Sequence, residues 1–205
     1  MGCGSREGFP RDWLCEDCRQ LLAKRWVGPG LPPGGGLFLG AAYGYVYGGP
    51  AGGLVRNLKY RGVTRLAPLM GRAMANAFEA IQPTGADCAV PVPMHKKRLR
   101  QRGFNHAALL AREAAGRLGV EALDALVRVK NTRQQARLPN AKRLKNMEGA
   151  IAAAMDLRGR RVILVDDVCT TGATANACAR ALLDAGAEAV YLLCFAAAHE
   201  RMARH

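Results

Sequence analysis

Residues Val162 to Thr174 read VILVDDVCTTGAT, and this run decides the architecture. Val162 to Val165 are four apolar β-formers in succession. A strand buried on both faces of a parallel sheet needs that pattern, because its residues do not alternate between core and solvent. Asp166 and Asp167 then fall at the carboxyl end of the strand, and a helix is expected to begin near Ala175. In open α/β sheets ligands bind outside the carboxyl ends of strands, where loops meet helix N-termini. Thr170, Thr171, Gly172, Ala173 and Thr174 supply backbone N–H groups, hydroxyls and a glycine that permits close approach, all at the positive end of a helix dipole. A phosphate fits such a loop. Two carboxylates beside it would repel the anion, so they need other partners. Vicinal sugar hydroxyls donate hydrogen bonds to carboxylates, and a Mg²⁺ ion held by sugar and diphosphate oxygens would offset their charge. The run reads as a site for a phosphorylated sugar.

A second strand-loop-helix unit carries the opposite charge. Cys88 to Pro93, CAVPVP, is a short buried strand ended by prolines, and MHKKRLRQRGFNHAALLAREAAGRLG follows at once. Asn105 is a good N-cap for a helix whose apolar residues Ala108, Leu109, Ala111, Ala115 and Leu118 suit packing on a sheet. Lys96, Lys97, Arg98, Arg100 and Arg102 crowd the end of the strand. Loops at the same edge of a parallel sheet converge, so a diphosphate could lie between this basic loop and the Thr-Thr-Gly loop.

Strands alternating with helices at this spacing imply a parallel α/β sheet. Ahead of the Cys88 strand, the pattern gives a strand or hairpin around Leu37 to Tyr47, a short helix near Ala51 to Tyr60 and a longer one from Leu66 to Ile81. Lys59, Tyr60, Arg61 and Gly62 fall between these helices. Such a turn can present a cation to a ligand, and a solvated helix end would look the same. Lys130 to Asn146, KNTRQQARLPNAKRLKN, has little apolar content and is long for a connector. Long segments of this kind in compact domains are often lids, and an oxocarbenium-like centre needs water kept out.

Near the start, Cys3 and the CEDC of Cys15 and Cys18 suggest a zinc knuckle. Structural zinc needs four ligands, usually two CxxC pairs, and Cys3 looks like the second half of a pair whose first cysteine would precede Met1. Either an upstream start, a solvent or distant group completes the site, or the cysteines bind nothing. Gly28 to Gly36, GPGLPPGGG, reads as a flexible linker marking a domain boundary.

The 205 residues carry a formal charge of +14. Between His95 and Lys145 there are 14 Lys and Arg against three acids, Glu113, Glu121 and Asp124, which leaves +11 in one stretch. That field suits a nucleic-acid backbone or a small polyanion such as a diphosphate, and composition alone does not choose. There is no continuous apolar stretch of a secretory signal and no run near the roughly 20 residues of a membrane span, so a soluble cytoplasmic protein is expected. Cys88, Cys169, Cys178 and Cys194, scattered among apolar residues, suit a reducing compartment.

VILVDDVCTTGAT resembles the phosphoribosyl-pyrophosphate signature of type I phosphoribosyltransferases: apolar strand, two acids, two variable residues, then Thr-Thr-Gly. The wider sequence is similar to the ComF family of competence-associated, phosphoribosyltransferase-like proteins. Val90 to Ala115 carries this likeness, with Thr132, Gln135, Leu138, Arg143, Asn146 and Gly149, the three early cysteines, and Lys59 to Gly62 as a Lys-Tyr-x-Gly pattern. Many relatives have Gln where this chain has His106, whose imidazole could still donate a hydrogen bond. The resemblance implies a type I phosphoribosyltransferase fold at 37–205, behind an incomplete zinc-ribbon-like segment at 1–27 and the linker at 28–36. It implies Asp166 and Asp167 on ribose and Mg²⁺, Thr170, Thr171, Gly172, Ala173 and Thr174 on the 5-phosphate, and the segment from Lys96 and Lys97 to Arg98 and Arg102 near the pyrophosphate. The expected ligand is phosphoribosyl pyrophosphate with Mg²⁺, with zinc on Cys3, Cys15 and Cys18, and single-stranded DNA or the DNA-uptake machinery as partners. Hypoxanthine-guanine relatives carry an acid where this chain has Thr170, which argues against purine salvage.

Overall fold

The computed structural model describes residues 14–34, 36–81, 83, 85–129 and 149–198. In chain order these form α1 (Glu16–Ala23), β1 (Trp26–Gly30), β2 (Gly40–Val46), α2 (Gly49–Arg61), a 3₁₀ turn (Thr64–Leu66), α3 (Ala67–Glu79), β3 (Cys88–Pro91), α4 (Lys96–Arg102), α5 (His106–Leu118), β4 (Glu121–Ala122), β5 (Leu126–Arg128), β6 (Ile151–Ala153), β7 (Arg161–Cys169), α6 (Ala173–Asp184) and β8 (Ala189–Ala197). Among the described residues the main sheet has the order β1-β2-β8-β7-β3-β4. Its pairings are parallel except for the antiparallel edge strand β1 on β2. The expected mostly parallel α/β architecture is present.

The opening motif sits at the centre of this sheet because it is apolar on both faces. Ile163 and Val165 join Leu54, Leu58, Met70, Met74 and Leu110 on one side, while Val162 and Leu164 join Cys178 and Leu182 on the other. Alternate residues of one strand therefore anchor two cores, as the period of two requires. β7 runs to Cys169, further than the four apolar residues suggest, because its pairing with β8 continues to Cys169 opposite Ala197. The aspartates accordingly lie within the strand. The chain leaves β3 toward β4 and leaves β7 toward β8, so the connections diverge between two adjacent strands. That is where a ligand crevice opens in such sheets.

Two sequence expectations are corrected. The first residues of the 28–36 segment are not a linker: Gly28, Pro29 and Gly30 pair with Tyr43, Ala42 and Ala41 as part of β1. Backbone pairing supplies what the composition lacks, and Pro29, which has no N–H to donate, is tolerated on an edge strand. The residues before it are tied to the same domain. Leu14, Cys18 and Leu22 enter the core that holds α2, and the Arg25 guanidinium donates to the carbonyls of Val46 (3.3 Å) and Tyr47 (3.1 Å). The second correction concerns Lys96 to Arg102, which is a helix rather than a loop. His95 caps it by accepting the Lys97 amide on Nδ1 at 3.2 Å, and Gly103 ends it in the left-handed region.

Cys15 is the N-cap of α1 and Cys18 is buried on that helix; Cys3 lies outside the described residues. The expected lid, Lys130 to Asn146, lies outside them too. Its flanks, β5 and β6, pair antiparallel as a two-stranded ribbon beside the main sheet.

Candidate active site

The cleft lies at the carboxyl ends of β3 and β7. Register decides what meets there: Pro91 faces Val165, and the Val92 amide donates to the Val165 carbonyl at 2.9 Å. The residues after β3 are thereby held beside Asp166. Asn105 fastens the arrangement. Its Oδ1 accepts the Ala107 amide at 3.1 Å, capping α5, while its Nδ2 donates to the Val92 carbonyl at 3.1 Å.

Of the residues expected in the site, Asp166, Asp167, Thr170, Thr171, Gly172, Ala173, Thr174, Arg98 and Arg102 line one cleft. Lys96 and Lys97 do not; both are exposed. Helical phase explains the split, since Arg98 and Arg102 are four apart and share a face of α4. α6 begins at Ala173, two residues earlier than expected, so the phosphate loop narrows to Thr170, Thr171 and Gly172. Its N-cap residue, Gly172, has no side chain to bond the first turn, and Thr171 Oγ1 accepts the Ala173 amide at 3.5 Å. The first turn of α6, at the positive end of its dipole, lines the cleft. Gly172 is required on two counts. Its φ of 77° lies in the left-handed region, and a Cβ there would run into the ring of Pro33. The segment after β1 is thus laid against the back of the phosphate loop, where Asn176 Nδ2 also donates to the Gly34 carbonyl at 2.9 Å.

The two aspartates differ. Asp167 is 2% exposed; its Oδ1 accepts the Val168 amide at 2.8 Å, and its Oδ2 meets Lys59 Nζ at 2.5 Å and His106 Nε2 at 3.7 Å. Burial pushes this carboxyl up, but the Lys59 ammonium and then His106 outweigh burial and hold it below the usual range. Asp166 is part-buried, and its Oδ1 accepts the Asp167 amide at 2.8 Å. Burial, reinforced by the neighbouring Asp167, raises its pKa despite Lys59. It is the carboxylate that stands to gain most from a cation or from hydroxyl donors.

Lys59, Tyr60, His106 and Arg128 also line the cleft. Lys59 is on the last turn of α2, whose left-handed cap Gly62 ends the helix. Its one legible signal was the Lys-Tyr-x-Gly pattern. His106 is buried, and its pKa is pushed down to about 4, by burial first, with Lys59 and Arg102 adding and Asp167 opposing. The imidazole is therefore neutral near pH 7. Arg102 Nη1 lies 3.4 Å from His106 Nδ1, and its guanidinium sits over the Tyr60 ring, 5.0 Å from the centroid. Arg128 arrives from β5, and burial followed by the nearby Arg98 lowers its pKa. Nothing local in the sequence brings it here. Burial also pushes the Cys178 and Cys194 thiols up, so neither is a thiolate nucleophile at neutral pH. His106, Asp166 and Asp167 have ligand atoms within 4.8 Å of one another.

A parallel sheet with an acid pair, a threonine-glycine loop and a basic helix around one cleft defines a phosphoribosyltransferase-type domain. Residues 102–205 match the Phosphoribosyl transferase domain family, and the chain belongs to that family, in its ComF-like branch. It is 31% identical over 153 residues to the DNA utilization protein YhgH of Escherichia coli (strain K12), covering 72% of this chain and 67% of that protein. It is also 35% identical over 129 residues to Competence protein F of Haemophilus influenzae, covering 61% of this chain and 56% of the relative. With Competence protein ComFC of Bacillus subtilis (strain 168) it shares 30% identity over 147 residues, 69% of this chain and 57% of the relative. The chain thus spans between about half and two thirds of these relatives. No helix among the described residues is long and apolar enough to cross a membrane.

Proposed function

We propose that this protein binds phosphoribosyl pyrophosphate with Mg²⁺ and transfers the phosphoribosyl group to an acceptor, releasing pyrophosphate. The observation that carries the reading is the convergence, in one cleft, of Asp166 and Asp167 with the Thr170 to Thr174 segment and with Arg98 and Arg102. The start of α6 would take the 5-phosphate, Asp166 the ribose hydroxyls, and Arg98 and Arg102 the diphosphate.

The donor set fits a hard divalent cation on the Asp166 side, where carboxylate oxygen is part-buried and Asp167 Oδ2 is already met by Lys59. Mg²⁺ typically keeps several waters and takes few protein ligands, sharing phosphate oxygens instead. Asp166 is its natural contact. When bound, it would supply charge neutralisation for the departing diphosphate. At C1 of the ribose the bond to the diphosphate oxygen breaks and a bond to the nucleophile forms, the electron pair leaving with pyrophosphate. Arg98 and Arg102 stabilise the charge that develops there.

Incubation with phosphoribosyl pyrophosphate, Mg²⁺ and a set of bases and amines is expected to release pyrophosphate. Calorimetric binding without release from any acceptor would instead support a sensor, and no binding at all would overturn the proposal. A second reading, a nucleic-acid-handling accessory, is favoured by the +11 stretch from His95 to Lys145 and by relatives named for DNA utilization and competence. Affinity for single-stranded DNA would then fall steeply with salt. A flat salt response would exclude backbone contact.

A further inference from the structure

Lys59 Nζ lies 2.5 Å from Asp167 Oδ2, and no side chain in the described residues offers that oxygen a closer ion pair. The oxygen is fully enclosed and has no well-formed hydrogen bond, so the ammonium is its principal compensation. Lys59 in turn has a side chain only 19% exposed. Burial alone would lower its pKa, yet Asp167 and Asp166 outweigh burial and hold it charged. Swinging this side chain into solvent would leave a buried carboxylate unpaired, which is strongly unfavourable.

The contacts around the pair close on themselves. Lys59 meets Asp167, Asp167 faces His106, His106 lies against Arg102, and Arg102 covers the ring of Tyr60, the neighbour of Lys59 on α2. Lys59 also sits on the last turn of its helix, where the dipole favours a cation. The ammonium is thus held at the floor of the cleft before any ligand arrives. It lines the same cleft as Asp166 and the Thr170 to Gly172 loop.

We infer that Lys59 is the built-in cation of this site: it offsets Asp167 permanently, so the ribose 5-phosphate part of a ligand binds without divalent metal, which is needed only for a diphosphate. The inference rests on the sugar-diphosphate reading above. With Lys59 in place the acid pair presents one unbalanced carboxylate, not two, to an incoming 5-phosphate. The repulsion that would otherwise demand a metal is thereby lessened. A diphosphate brings more negative charge than one ammonium offsets, and there Mg²⁺ becomes necessary.

Titration calorimetry of the full chain with ribose 5-phosphate and with phosphoribosyl pyrophosphate, each in EDTA and in Mg²⁺, tests this. The unmodified protein should bind ribose 5-phosphate with affinities agreeing to about twofold in the two buffers, while phosphoribosyl pyrophosphate should gain at least about tenfold from Mg²⁺. K59M should weaken ribose 5-phosphate binding in EDTA by about tenfold or more, with Mg²⁺ restoring much of it, because an external cation then replaces the ammonium. K59R, which keeps the charge, should keep the metal independence. A general loss of structure in K59M would not produce rescue by Mg²⁺, and a Mg²⁺ requirement in the unmodified protein overturns the inference even if K59M fails to fold. Ribose 5-phosphate binding that requires Mg²⁺ in the unmodified protein, or that K59M leaves intact in EDTA, overturns the role of Lys59. In that case Mg²⁺-dependent binding of phosphoribosyl pyrophosphate would leave the proposed function standing. Binding of neither ligand in either buffer overturns both.

Discussion

Asp166 and Asp167 are adjacent in sequence and chemically identical, yet the fold gives them different work. Asp167 is buried against Lys59, whereas Asp166 lines the cleft with one oxygen uncommitted to the backbone. D167N should therefore cost about 3 kcal/mol in urea denaturation, because it leaves the Lys59 charge without its partner. D166N should denature close to the unmodified protein but lose phosphoribosyl pyrophosphate binding in calorimetry. His106 offers a test in pH. Its folded pKa is about 4, below the ordinary value near 6.5, so on acidification the unfolded chain takes up this proton first. Stability relative to H106Q should be constant above pH 6.5 and should decline by about 3 kcal/mol as pH falls from 6.5 toward 4. Comparing the two proteins at each pH cancels the groups that do not touch His106, and a flat difference would show that the imidazole is not held neutral.

Among the elements, α4 shows how a charge run is sorted by geometry. A basic loop could send any of its side chains to a ligand, but a helix capped by His95 and Gly103 sends only one face. Arg98 and Arg102 line the cleft, while Lys96 and Lys97 are exposed. The R98A/R102A double variant should weaken phosphoribosyl pyrophosphate binding by about a hundredfold, whereas K96A/K97A should change it by less than about threefold. Equal losses from both pairs, measured by calorimetry, would mean that long-range charge matters more than contact. The helix was hidden in the sequence because seven residues with little apolar content carry no amphipathic period. The N-cap at Asn105 was legible, since its side chain acts within two residues of itself.

For the whole molecule, the cleft is assembled from α2, α4, α5, β5, β7 and the start of α6, so a ligand bound there ties distant parts of the chain together. Saturation with phosphoribosyl pyrophosphate and Mg²⁺ at about 100 times Kd should add about 2.7 kcal/mol of stability and raise Tm by about 5 to 10 °C. The absence of a shift at that concentration would argue against a folded-state site. The same molecule-wide view explains the misread boundary at 28–36. Composition alone describes GPGLPPGGG as flexible, but its first residues complete the edge of the sheet, and Pro33 presses on Gly172 of the phosphate loop. Residues outside the Thr170 to Gly172 loop thus support its shape.

By itself, the sequence determined the buried central strand, the acid pair and the threonine-glycine loop, because these depend on residues in a short continuous run, and it determined the family through motifs spread along the chain. Apolar patterning and local capping act over a few residues, and they are visible without a fold. Only the tertiary structure decided that Lys59 would meet Asp167, that Arg128 would reach the cleft, and that α4 would turn two of its cations inward. Those outcomes depend on strand register and helix packing, which bring together residues far apart in the chain and leave no local trace. The motif named the ligand class to look for; the fold placed a cation against one of its two acids.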